Sequence, residues 1–201
     1  MPKIGIDLDG TVANFLKTAI PFVKEMYGLD PDFSKPAYRI EDVFGWTRET
    51  RPDDIKERLY VEKRIFRKLH RLEEDNNLLT SSLVGEIPDL KIYFVTARDN
   101  HPIMLEDTLY WVQNNTDYFD DVFHVAHGSK ADFCVPAGIT VMIEDEIKRI
   151  EELVEKGIHV IVMDQPWNKD VEHTVPPSSA GKIIRVSGWR GAVSAAKEFL
   201  L

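Results

Sequence analysis

Apolar residues along the chain follow two rhythms. Ile4, Ile6 and Leu8 alternate with Gly5, Asp7 and Asp9, a period of two that predicts a strand running into Asp7-Leu8-Asp9-Gly10-Thr11. Successive strand side chains point to opposite faces, so Asp7 and Asp9 share one face at the strand's carboxyl end. Over residues 11–27 the spacing turns helical (Val12, Phe15, Leu16, Ala19, Phe22, Val23, Met26) and Gly28 closes it. Pro21 lacks an amide donor, which predicts a kink or a split near Ile20. Residues 29–51 hold no steady period, and their length predicts an inserted functional segment rather than a plain connection. Pro52 opens a predicted helix reaching about Leu72 through Ile55, Leu59, Ile65 and Leu69, and a second is predicted over 73–86, ahead of Pro88.

The sheet rhythm then resumes. Strands are predicted over 91–95, 122–126, 141–143, 159–163 and 183–186, and helices over 102–115, 147–156 and 189–200. Strands alternating with helices make an α/β fold, a parallel sheet covered on both faces. The interruption at 14–85 reads as a small helical cap inserted after the first strand, which leaves 1–13 and 86–201 as the core.

A chain of 201 residues suits one core with a modest insertion, and 43% hydrophobic residues is ordinary for a globular fold. No run approaches a membrane span. The first strand begins at Lys3, which leaves no room for a signal peptide, and the single cysteine, Cys134, makes no internal disulfide. Both fit a cytoplasmic protein. A net charge of -9 argues against an extended nucleic-acid groove, but not against a small phosphate ester held by a metal and a few cations.

The paired aspartates carry the chemistry. Two carboxylates on one strand end repel each other unless a cation lies between them. A capping turn needs one aspartate, and a calcium loop needs glutamate at its twelfth position, where this chain has Thr18. Asp-x-Asp-Gly-Thr after a buried strand resembles the nucleophile motif of the haloacid dehalogenase superfamily. That resemblance implies a Rossmann-like core with a cap after the first strand, Asp7 as nucleophile and Asp9 as general acid and base. It further implies that Thr96 and neighbouring amides hold the phosphate, and that Lys130 neutralises charge between nucleophile and phosphoryl group. Asp7, Asp145 and the backbone carbonyl of Asp9 would hold Mg2+. The family usually has two aspartates where this chain has Glu144 and Asp145. Acidic residues also favour the first turn of a helix, and one is predicted here. Following the strand at 141–143, however, they emerge at the same sheet edge as Asp7.

More narrowly, the chain resembles the 5′(3′)-deoxyribonucleotidase family. The supporting strings are Asp7-Leu8-Asp9-Gly10-Thr11-Val12-Ala13-Asn14-Phe15, Thr96-Ala97-Arg98, Asp164-Gln165-Pro166-Trp167-Asn168 and Val186-Ser187-Gly188-Trp189. By that resemblance Phe15 stacks near the base, Thr96 and Ala97 meet the substrate, and cap aromatics close the pocket. Phe44, Trp46 and Phe66 are the candidates, each with a plain core role as its alternative. Arg98 has a phosphate oxygen or a surface carboxylate open to it as partner. Trp167 and Asn168 have either a core or a site-lining role. His124 and His127, three apart on a predicted strand, point to opposite faces, and with one cysteine they make no zinc site.

A phosphate monoester approaches an ionised aspartate as one anion to another. At about 4 Å and an effective dielectric near 20 that costs roughly 8 kcal/mol for a dianion. A divalent cation and a lysine reverse the sign of that field, and oxygen ligands suit magnesium better than zinc. The expected activity is therefore magnesium-dependent hydrolysis of a small phosphomonoester, a nucleoside monophosphate by resemblance, through an aspartyl-phosphate. Other small esters or a polynucleotide end remain as alternative substrates, and a homodimer is left open. A non-catalytic phosphate-binding module would have no use for Asp9 as proton donor.

Overall fold

The computed structural model describes residues 1–73, 80–126 and 128–201. β1 (Lys3–Ile6) leads through a tight turn into β2 (Ala13–Asn14) and α1 (Phe15–Tyr27), followed by a short helix, α2 (Ile40–Phe44). β3 (His70–Arg71) pairs antiparallel with β2. α3 (Ser81–Glu86), β4 (Lys91–Thr96), α4 (Pro102–Asn115) and β5 (Asp121–His124) come next, then α5 (Lys130–Ala137), β6 (Val141–Glu144) and α6 (Ile147–Glu155). The chain ends with β7 (His159–Met163), α7 (Val171–Thr174), β8 (Ile183–Val186) and α8 (Trp189–Leu200).

Six strands form one parallel sheet in the order β5-β4-β1-β6-β7-β8. β1 lies between β4 and β6, with Ile4 opposite both Ile92 and Val141, and Ile6 opposite Phe94 and Ile143. The chain leaves β1 for β4 and β5 on one side and returns to β6 on the other. The strand order thus reverses at β1, and ligands of open α/β sheets bind at the carboxyl ends beside such a point. Alternation divides the core between the faces. Ile4, Ile6, Phe94 and Ile143 pack with Trp111 of α4 and Ala192 of α8. Val95, Met142, Val160 and Val162 pack with Cys134 of α5 and with Ile150 and Leu153 of α6. This is the expected α/β class, a Rossmann-like parallel sheet with helices on both faces.

The stretch between β1 and β4 departs from expectation. α1 begins at Phe15 rather than residue 11, because the amides of Val12 and Ala13 turn back onto the Leu8 carbonyl (3.0 and 2.8 Å). Asn14 then caps the helix, accepting from the Lys17 amide at 2.9 Å. Pro21 does not split α1, which runs unbroken with the proline on its exposed side. No continuous helix spans 52–72. Glu57–Glu62 forms a π-helical turn and Ile65–Arg67 a 3-10 turn, and Arg64 between them is left-handed (φ 50°, ψ 51°). Its guanidinium forks onto the fully buried carboxylate of Asp107 in α4 (2.6 and 3.2 Å), a tertiary tie that overrides helical spacing. Ile55, Leu59, Ile65 and Leu69 are buried all the same. Of the helix expected over 73–86, Ser81–Glu86 is helical and packs toward α8, where the Trp189 indole N–H donates to Ser82 Oγ (3.3 Å). Residues 74–79 lie outside the described residues, as does His127. β5 ends at His124, since Ala126 turns to positive φ (47°). No helix among the described residues is long and apolar enough to cross a membrane.

Candidate active site

At the end of β1 the ladder continues one residue further, with the Asp7 amide donating to the Ile143 carbonyl at 3.0 Å. That bond holds the Asp7 carboxylate over the sheet edge. The turn after it needs Gly10, whose φ is +86° and where a β-carbon would lie 2.2 Å from Asp145 Oδ2. Lys130, the first residue of α5, is 2% exposed. Its ammonium donates to Asp7 Oδ1 (2.5 Å) and Glu144 Oε2 (2.6 Å). Glu144 closes β6, fully buried, and its other oxygen accepts the amides of Asp145 and Glu146, both at 3.1 Å. Glu144 is thus consumed in holding the lysine and the turn after β6.

Asp145, also fully buried, accepts the Thr11 hydroxyl on Oδ1 and the Trp167 indole N–H on Oδ2, each at 3.0 Å. Its carbonyl accepts the Asn168 side-chain amide at 2.9 Å, and Arg185 in turn donates to Asn168 Oδ1 at 2.8 Å. Gln165 donates to the Gly10 carbonyl at 2.7 Å. The segment after β7 therefore clamps both turns of the site. Trp167 and Asn168 do more than fill space.

Among the described residues, one grouping of metal-ligating side chains occurs: Asp7, Glu144 and Asp145, with ligand atoms within 4.8 Å of one another. His124 belongs to no such group. Burial, then the Glu144 charge, pushes the Asp7 carboxyl up to about 7 against the pull of Lys130. Burial and the charges of Glu144 and Asp7 raise Asp145 well above the carboxylate range. Burial alone would lower the Lys130 ammonium, but the charges of Asp7 and Glu144 override it and the net shift is upward. Three buried carboxylates face a single ammonium, an excess of negative charge that a divalent cation would balance. An all-oxygen donor set is the kind a hard cation takes.

Above this floor opens a cavity of about 620 Å³. Asp7, Asp9, Thr96, Ala97, Arg98, Lys130, Phe15 and Phe66 all line it. Thr96 ends β4, almost fully buried, its hydroxyl accepting from the Arg98 amide at 3.3 Å. Arg98 has a carboxylate partner within the site. It forks onto Asp9, Nε to Oδ2 at 2.7 Å and Nη2 to Oδ1 at 2.8 Å. Phe44 and Trp46 are not among the lining residues. They stack on each other (centroids 5.2 Å, 25°), and Trp46 meets Tyr27 edge-on. Tyr38, Tyr60 and Trp167 line the cavity instead. Phe66 lies 6.0 Å from Phe15 and 4.8 Å from Tyr60, and Tyr38 packs 5.7 Å from Trp167. Tyr38 belongs to the aperiodic stretch, and Tyr60 was masked by its apolar neighbours. An amphipathic ring was the signal available for both.

The family model for 5′ nucleotidase, deoxy (pyrimidine), cytosolic type C protein matches residues 1–189. The chain belongs to this nucleotidase family. It is accordingly a hydrolase of phosphoric monoesters. No curated protein matches the sequence significantly. Among solved structures, the nucleotidase chain is similar to a haloacid dehalogenase-like hydrolase from Streptococcus pneumoniae, at 15% identity and TM-score 0.61 over 97% of this chain and 98% of that one. It is also similar to a haloacid dehalogenase family hydrolase from Deinococcus radiodurans R1, whose structure holds phosphate and sodium, at 13% identity and TM-score 0.56 over 100% and 97%. A third, a subfamily IA hydrolase from Geobacter sulfurreducens PCA, aligns at 12% identity and TM-score 0.56 over 98% and 96%. These likenesses establish a shared fold.

Proposed function

We propose that the protein is a cytoplasmic, magnesium-dependent phosphatase of (deoxy)nucleoside monophosphates that works through an aspartyl-phosphate on Asp7. The observation that carries this reading is the seat of Asp7. It is a buried carboxylate at the end of the central strand, held by Lys130, beside Glu144 and Asp145, and open to a cavity walled by aromatic rings. Asp7, Asp145 and the Asp9 carbonyl would hold the magnesium ion, which when bound withdraws negative charge from the phosphoryl oxygens and from Asp7.

Asp7 Oδ attacks phosphorus as the bond to the ester oxygen breaks, and the electron pair leaves with that oxygen. Asp9 gives it a proton. In the second step a water oxygen attacks phosphorus, its proton returns to Asp9, and the Asp7–phosphorus bond breaks. Lys130 stabilises the approach of two anions, and the Thr96 hydroxyl with the amides after it holds the phosphate. The base lies against Phe15 and Phe66, with residues 14–85 acting as the cap over it. The test is phosphate release, with and without Mg2+, from deoxynucleoside monophosphates, sugar phosphates and 3′-phosphorylated oligonucleotides. The reading predicts magnesium-dependent release with nucleoside monophosphates preferred. Preference for a sugar phosphate or an oligonucleotide end would overturn the substrate, and no release from any of them would overturn the catalytic reading.

A further inference from the structure

Arg98 is one of several cations that line the cavity, and it meets Asp9. It follows Thr96 by two residues at the carboxyl end of β4, and its side chain is 3% exposed while that of Asp9 is 29% exposed. The guanidinium is thus the more deeply buried of the pair, and both residues line the cavity. Two parallel bonds of 2.7 and 2.8 Å fix the plane of Asp9. The guanidinium is itself held on two further sides. Nη1 donates to Thr108 Oγ1 at 3.0 Å, and that hydroxyl donates to the Met104 carbonyl at 2.6 Å, which anchors the group to α4. The ring of Phe66 lies 4.3 Å from the guanidinium carbon. A free aspartate beyond a strand end has two soft torsions, and this one has neither.

We propose that Arg98 is a positioning residue for Asp9, not a phosphate ligand. Resting on the nucleotidase reading above, the inference is that Arg98 aims the carboxyl at the ester oxygen that leaves. Each Asp9 oxygen spends one acceptor site on the guanidinium and keeps another toward the cavity. Phe66, on the same guanidinium, ties the aromatic wall to the aim of the proton donor. Loss of Arg98 leaves the phosphate seat of Thr96 and Lys130 in place and lets Asp9 wander.

That separation gives a test a merely structural role would not pass. A proton from Asp9 matters when the leaving oxygen is a strongly basic alkoxide, as in a nucleoside monophosphate. It matters little when the leaving group is 4-nitrophenolate, which departs as the anion. Arg98→Met should lower kcat/KM for the preferred deoxynucleoside monophosphate about 100-fold, the cost of roughly 1 Å of misplacement, yet lower it less than about fivefold for 4-nitrophenyl phosphate. Inhibition by inorganic phosphate should stay within about twofold of wild type. Arg98→Lys keeps the buried charge and one contact, so it tests the same split should the methionine variant fail to fold. Its loss should be smaller, about tenfold, and again confined to the nucleotide. Equal losses on both esters, or phosphate inhibition weakened in step with activity, would mean that Arg98 holds the phosphate and would overturn the inference while leaving the nucleotidase reading intact. A lysine variant unchanged on both esters would overturn it too. A wild-type chain inactive on both would instead sink the nucleotidase reading and this inference with it.

Discussion

Replacing Lys130 by methionine probes the charge balance at the centre of the site. The ammonium is 2% exposed and lies 2.5 Å from Asp7 Oδ1 and 2.6 Å from Glu144 Oε2. At an effective dielectric near 20 and about 3 Å between charges, each attraction is worth about 5 kcal/mol, much of it offset by the lysine's own desolvation. Removing the lysine forfeits both attractions and leaves Asp7, Glu144 and Asp145 mutually repelling. Breaking a buried pair in this way costs about 3–5 kcal/mol. For a chain of this length that lowers Tm by about 6–20 °C. The loss should also depend on pH, with a definite sign. Even beside Lys130, the Asp7 carboxyl rises from 3.8 to about 7, and Asp145 is raised as well. Without the ammonium both should rise further. A carboxyl raised on folding contributes stability that is full below its unfolded value near 4 and is lost as pH climbs through the folded value. The gap in Tm between variant and wild type, measured without divalent metal, should therefore narrow from pH 8 to pH 5.5. Differential scanning calorimetry at the two pH values is the assay. A variant melting within about 2 °C of wild type at pH 8, or a gap of equal size at both pH values, would refute the reasoning.

The same cluster predicts that Mg2+ raises Tm more at pH 8 than at pH 5.5, because metal and proton compete for Asp7 and Asp145; thermal melts at fixed metal concentration check this. Phe66→Leu should raise KM for a nucleoside monophosphate by up to about tenfold through the lost ring contact, whereas Phe44→Leu should leave KM unchanged, as steady-state kinetics on both variants would show. Asn168→Ala removes the donor to the carbonyls of Asp145 and Met163 and one of the acceptors of Arg185, so it should cost about 1–3 kcal/mol in urea unfolding and weaken metal-induced stabilisation.

Much of the core was legible in the sequence because its elements obey a single period and bury one kind of residue. β7, β8, α4 and α8 fall on the residues their patterns predict, and β1, β4 and β6 differ from the pattern at their ends alone. The acidic site was readable for the same reason. Asp7 comes directly after β1 and Asp145 directly after β6, neighbouring strands whose register brings the two to one edge. Lys130 was identified by resemblance, and the helix it begins was not foreseen, since residues 130–137 carry almost no amphipathic pattern. The stretch between β1 and β4 was the hard part. Ile55, Leu59, Ile65 and Leu69 keep helical spacing and reach the core, but Arg64 turns left-handed to meet Asp107, a partner 43 residues away that local spacing does not encode. The aromatics show the same limit. Phe44 and Trp46 stack within their own layer while Tyr38 and Tyr60 reach the cavity, a choice made by the backbone path of an aperiodic segment. Arg98 was recognised as a candidate, but its partner follows from the adjacency of β4 and β1 and not from its own neighbours in the chain.

Covalent capture at Asp7 tests the account most directly. Wild-type chain mixed with its preferred nucleoside monophosphate and Mg2+, quenched in acid and reduced with borohydride, should carry homoserine in place of aspartate at position 7 by peptide mass spectrometry. Asp7→Asn should carry no such change, melt as a folded protein, and turn over roughly 10⁴-fold or more slowly. A wild-type enzyme that releases phosphate with Asp7 unmodified in the same quench, together with an asparagine variant that retains activity, would contradict it.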